Sequence, residues 1–144
     1  MSNASMDLGT GFEELRALDP AAYASAEPFP HAVFHDVFSD ELLDGVLSEF
    51  PAPERMGIQF DEPEEVKSAE SRWDAFGPST QRLLTILNSA PFVDQLERIT
   101  GISGLITDHH FRGGGQHQIR RGGYLGVHAD FNHHLKLKVI RRIN

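Results

Sequence analysis

The sequence contains no cysteine. Disulfides, thiolate metal sites and cysteine nucleophiles are therefore excluded together, and a reducing, cytoplasmic location is the expectation that fits. No apolar run approaches the roughly eighteen residues a membrane span needs, and the chain does not open with a secretory pattern. Basic residues are also in deficit, 13 Lys and Arg against 21 Asp and Glu, a formal net charge of -8. That balance argues against generic nucleic-acid binding.

What is present is ordinary for a soluble globular protein: 40% hydrophobic and 24% charged residues in a chain of 144, enough to bury a core. Residues 1–5 read as an expression-tag remnant ahead of Met6, leaving residues 6–144 for the fold. Charge is unevenly spread. Residues 1–108 hold six Lys and Arg against twenty acids, whereas residues 109–144 hold seven against Asp130 alone; six of the eight histidines fall within 109–134. A basic, histidine-rich end on an acidic body reads either as a phosphate-contacting arm or as a pocket for a metal and a carboxylate-bearing ligand.

The coarse order of elements is helices first, strands after. A short helix is expected over Phe12–Leu18, ended by Asp19-Pro20. Phe29–Phe38 is rich in β-formers behind a proline and reads as a strand. Ser39 is a good N-cap with Asp40 and Glu41 in the first turn, and Leu42, Leu43, Val46, Leu47 and Phe50 share one helical face before Pro51. Residues 51–77, rich in Pro, Glu and Gly, read as a long loop with room for short strands. Ser79 is expected to cap a second helix carrying Leu83, Leu84 and Leu87. Ser89 is expected to cap a third, with Phe92, Leu96 and Ile99 on its inner face and Gly101 at its stop.

Beyond Gly101 the texture changes. Gln116–Arg121 and Tyr124–Phe131 read as strands joined by a turn at Gly122-Gly123, and five glycines lie within 113–123. Such a cluster marks either a hairpin with flexible ends or bulges and close ligand approach. On a strand, His128 and Asp130 face the same way while Ala129 faces the other. One imidazole and one carboxylate so placed form two corners of a 2-His-1-carboxylate site, which leaves open positions on Fe(II) for oxygen chemistry. The competing reading is an exposed or hydrogen-bonded pair, since His-x-Asp is a common tripeptide.

The stretch Arg112–Asn132, with Pro28–His31, Phe76–Thr80, Leu87–Ser89 and Leu96–Ile102, resembles bacterial members of the Fe(II)/2-oxoglutarate-dependent dioxygenase superfamily, in its prolyl 4-hydroxylase-like branch. The resemblance runs from about Pro28 to Asn144. It implies an α+β fold, with N-terminal helices packed on the first strands of a double-stranded β-helix (jelly roll), incomplete here, and makes residues 6–144 the N-terminal part of a single dioxygenase domain. It also implies His128 and Asp130 as iron ligands, 2-oxoglutarate as co-substrate, ascorbate as an accessory reductant, and hydroxylation of an amino-acid, peptidyl or small-metabolite substrate. The family's third ligand, a later histidine, and the Arg or Lys that pairs with 2-oxoglutarate have no counterpart in this sequence. The chain is thus expected to be a fragment inactive alone, or else a non-catalytic interaction module on the same fold. The candidates for a local replacement ligand are His109, His110, His117, His133 and His134, the last two expected in a loop after the strand.

Tyr124 and Gln118 are candidate contacts to a bound carboxylate. Tyr124 has the alternative role of a core aromatic with a satisfied hydroxyl, and Arg120 and Arg121 read as solvated residues flanking the turn. Trp73 reads as a lid contact or as a partly buried anchor. Exposed sheet edges raise homo-oligomer formation as a further expectation.

Overall fold

The computed structural model of the protein describes residues 7–63 and 65–143. The tag reading of residues 1–5 lies outside the described residues. Five α-helices and six short strands form among them, all sheet pairings being antiparallel. The chain divides into two compact units, Met1–Glu49 with Gly77–Thr107, and Phe50–Phe76 with Asp108–Asn144. None of the helices is long and apolar enough to cross a membrane.

The first unit holds the helices: α1 (Gly11–Ala17), α2 (Pro20–Ala24), α3 (Asp40–Ser48), α4 (Pro78–Leu87) and α5 (Ala90–Thr100). Apolar residues at helical spacing meet in one cluster, where Leu15, Phe92 and Ile99 are buried and Phe12, Phe38, Ile86 and Leu96 pack around them. Arg98 donates to the carbonyls of Leu15 and Leu18, 2.9 and 2.8 Å away, and so satisfies the C-terminal end of α1. Asp19, expected to end a helix, instead caps a new one: its carboxylate accepts from Ala21 N at 2.9 Å, with Pro20 in the first position. Ser39 caps α3 as its sequence suggests.

Two expectations in this unit are corrected. Phe29–Phe38 forms no strand. Among the described residues its only bridge joins Phe38 to Leu8, Asp36 turns the backbone into positive φ, and Phe29 and Val33 are exposed. β-formers make a strand only where a partner edge exists, and the prolines at 28 and 30 each remove a donor. The second correction concerns α4, which begins at Pro78, so that its N-cap is Gly77, two residues before the expected Ser79. The missing cap comes from a distant residue. Glu49 accepts from Ser79 N (2.7 Å), Thr80 N (2.9 Å) and Thr80 Oγ1 (3.0 Å). Burial opposes ionisation of Glu49, but those donors outweigh it and hold its pKa below the usual value.

The second unit is built on a strand inside the segment expected to be mostly loop. β1 (Ile58–Glu62) and β2 (Glu65–Glu70) form a hairpin, and β2 pairs on its other edge with both β3 (Gln116–Gln118) and β4 (Tyr124–Leu125). The expected hairpin between residues 116–121 and 124–131 is therefore corrected: these segments do not pair with each other. Ser68 stands opposite Gln118 and Val66 opposite Tyr124, so the five residues 119–123 loop out opposite Lys67 alone. Within that loop Gly123 N donates to Arg120 O at 2.8 Å, and Gly122 takes the positive φ (88°) that such a turn requires. β5 (His133–His134) and β6 (Val139–Ile140) form a separate hairpin, so His133 and His134 are strand residues rather than loop residues.

Glu70, 2% exposed, closes the sheet at the end of β2. Its carboxylate accepts from the backbone N of Gly57, Ser71 and Arg72 and from the Arg72 guanidinium, all at 2.9–3.1 Å. Gly115 lies against the Glu70 carbonyl, where a Cβ would come within 2.2 Å. The Arg72 side chain, then the backbone donors, outweigh burial and lower the Glu70 pKa to about 2. A depressed folded-state pKa contributes stability that is complete above the ordinary value of 4.5 and is lost as pH falls toward 2. Glu70→Gln is expected to destabilise the protein at pH 7 by about 2–3 kcal/mol, a figure discounted because Arg72 is largely exposed. In urea unfolding, the gap between parent and variant should shrink between pH 4.5 and pH 2; a gap independent of pH would contradict this role. Glu49→Ala should cost about 1–2 kcal/mol through the lost cap, and an unchanged urea midpoint would show that α4 begins without it.

Candidate functional site

His128 and Asp130 follow β4 but lie beyond its end, in irregular backbone. The expectation that strand alternation aligns them is corrected, yet the two side chains still meet: His128 Nε2 lies 3.3 Å from Asp130 Oδ1. The other ring nitrogen, Nδ1, is 2.8 Å from the Gly126 carbonyl, so it carries the proton and leaves Nε2 facing the carboxylate. That hydrogen bond, with the Asp130 charge adding to it, raises the His128 pKa against the opposing effect of desolvation. Both side chains remain more than two-fifths exposed.

This donor set can be compared with what a metal needs. Two ligands about 2.1 Å from one ion and at right angles stand about 3.0 Å apart. The observed separation suits such a pair, and it suits a direct hydrogen bond when the ring is protonated on both nitrogens. A ligating histidine also commonly donates its second N–H to a main-chain carbonyl, as His128 does. The two residues therefore fit two corners of an iron site. A third does not join them: among the described residues no group of three His, Asp or Glu is arranged to hold a metal. Arg141 Nη1 approaches Asp130 Oδ2 at 3.3 Å, leaving Oδ1 to face the histidine.

The other histidines are occupied elsewhere. His117 lies on β3 opposite Ala69, exposed, with Nε2 3.3 Å from the Gly114 carbonyl. His134 is buried and holds the β5–β6 turn, its Nδ1 accepting from Leu137 N at 3.0 Å. Its Nε2 is 3.1 Å from Asp108 Oδ1 but is not aligned as a hydrogen bond, so this contact is electrostatic. Asp108 itself accepts from His110 N and Arg112 N, which keep its pKa low despite burial. His109 and His110 lie ring against ring, with His110 stacked toward His134.

The two candidate carboxylate contacts, Tyr124 and Gln118, have other places in the fold. The Tyr124 hydroxyl donates to the Pro63 carbonyl, with Glu62 O 3.3 Å away, and so ties β4 to the β1–β2 turn. Gln118 lines an open cleft of about 430 Å³ that also includes Lys67, Arg120 and Arg121. Trp73 stacks on Phe111 with centroids 5.9 Å apart and meets Phe76 edge-on, while 44% of its surface stays exposed.

No family model, curated protein or solved structure matches this chain.

Sequence reasoning missed Arg141. Its approach to Asp130 depends on the β5–β6 register, which places Arg141 N 2.8 Å from the Asn132 carbonyl, and the spacing of charges carries no signal of that. Arg120 and Arg121 are exposed at the turn, as their sequence suggests, but the cleft they line depends on the loop-out opposite Lys67, which is invisible without the pairing of β2. With His117 and His133 outside the pair, His117→Ala and His133→Ala should each leave Fe(II) affinity within about twofold of the parent, well short of the roughly 10–100-fold loss that follows removal of ligand support. Anaerobic metal titration checks this, and a tenfold loss in His117→Ala would place that ring at the metal.

Proposed function

We propose that the chain carries two ligands of the iron centre of an Fe(II)/2-oxoglutarate-dependent dioxygenase, and that its antiparallel strands are the first of a jelly-roll core. The observation that carries this reading is the pairing of His128 Nε2 with Asp130 Oδ1 at 3.3 Å, with His128 Nδ1 bound to the Gly126 carbonyl. The resemblance of residues 112–132 to the prolyl 4-hydroxylase-like branch supplies the reaction class. When bound, the metal and 2-oxoglutarate supply oxidative decarboxylation coupled to hydroxylation of a C–H bond. The roles of this chain's own residues are narrower. His128 and Asp130 would hold the ion, the Gly126 carbonyl sets the histidine tautomer, and Arg141 orients the carboxylate. The substrate class is an amino acid, a peptide or a small metabolite.

The reading requires a third histidine, which the described residues do not bring to the pair. That shortfall favours a second reading, in which the same fold serves as a non-catalytic binding module. An anaerobic titration with Fe(II) and 2-oxoglutarate separates the two. A visible charge-transfer band that disappears in both His128→Ala and Asp130→Ala is the expected result for the dioxygenase centre. Protein that is folded but gives no band favours the module, and stoichiometric Fe(II) retained in either variant would overturn the ligand assignment.

A further inference from the structure

The loop-out opposite Lys67 creates a feature that the iron reading does not use. Residues 119–123 leave the sheet edge and fold over as a turn, and the gap they leave forms the cleft of about 430 Å³. Lys67, Arg120 and Arg121 line it, as does one acid, Glu54. Lys67 pairs with Glu65 and rests over the Phe60 ring at 5.0 Å, while Arg120 pairs with Glu54. Arg121 makes no ion pair among the described residues. Pro53, Phe60 and Val66 give the lining an apolar part, and Gln59, Ser68 and Gln118 form a polar row lying abreast across three strands. Ser68 Oγ donates to Gln59 Oε1 at 2.7 Å, and Gln59 Nε2 donates to the carbonyls of Pro53 and Met56, so this part of the wall is fixed. The buried Oε1 of Gln118 has no donor, which marks the row as incompletely satisfied.

A cleft of this volume is in the range of small-molecule sites. Glu65 and Glu54 already hold two of its three cations, so the Arg121 guanidinium sets its preference, and arginine presents a planar fork suited to carboxylate or phosphate. We propose that this cleft binds a small organic anion through a carboxylate or phosphate group held by Arg121, beside the glutamate-paired Arg120 and Lys67. The site is independent of the metal ligands and goes beyond the iron reading, so it can be tested on metal-free protein, where failure of one leaves the other standing.

The test is a titration of the full metal-free chain, followed by amide NMR, with inorganic phosphate and separately with malonate. Sodium chloride at matched ionic strength is the control. The expected result is a saturable shift of the Gly122 and Gly123 amides and of Gln118 with at least one probe, and the probe that binds more tightly identifies the anionic group. Arg121→Ala should weaken that binding by about tenfold or more, and Arg121→Lys should restore part of it. Arg121 is exposed in a turn, and the same spectra report whether each variant is folded. The proposal fails if neither probe gives a saturable response, if chloride reproduces the shifts, or if folded Arg121→Ala binds as the parent does.

Discussion

A buried carboxylate survives only if its charge is met by donors on both oxygens, and Glu70 has five such contacts from three backbone amides and one guanidinium. Those contacts bind the approach to β1 through Gly57 and the exit from β2 through Ser71 and Arg72. β3 enters through its pairing with Glu70, where Gly115 permits the close approach of the main chain. Breaking one partner would leave a charge without compensation in the sheet, a larger loss than removal of an exposed ion pair. β2 pairs on both edges, so its alignment sets where β3, the loop 119–123 and β4 can lie. The cationic cleft is a direct consequence of that alignment.

Glu49 plays the corresponding part in the helical unit. A carboxylate from the end of α3 caps the start of α4, so two segments separated by a long excursion of chain are held through a helix terminus. Both devices use an acid that looks, in the sequence, like one more member of an acidic surface. The excess of acids over bases in residues 1–108 is therefore not only a solvated face: two of those acids hold main-chain donors together.

Around the proposed iron ligands, the decisive constraint is the carbonyl of Gly126. By accepting the Nδ1 proton it turns Nε2 of His128 toward Asp130 without any help from strand alternation. Arg141 then lies on the other carboxylate oxygen. The six histidines of the basic end do not converge on this pair; His134 holds a turn and meets Asp108, and His117 sits on a different strand. Histidine density is thus a poor guide to a shared site here, because the rings of His117 and His134 are engaged away from the pair.

The sequence by itself determined the helices that carry a complete local signal: α3 from Ser39 and its acidic first turn, and α5 from the spacing of Phe92, Leu96 and Ile99 ahead of Gly101. It also kept His128 and Asp130 near each other, since residues two positions apart remain close in most backbone conformations. Tertiary structure decided the rest. Phe29–Phe38 had β-forming residues but no edge to join, while the charged segment 65–70 became the central strand because three segments could pair with it. Strand pairing is a contact between segments far apart in the chain, and its register, not local preference, placed Lys67 opposite a looped-out turn and Arg141 beside Asp130.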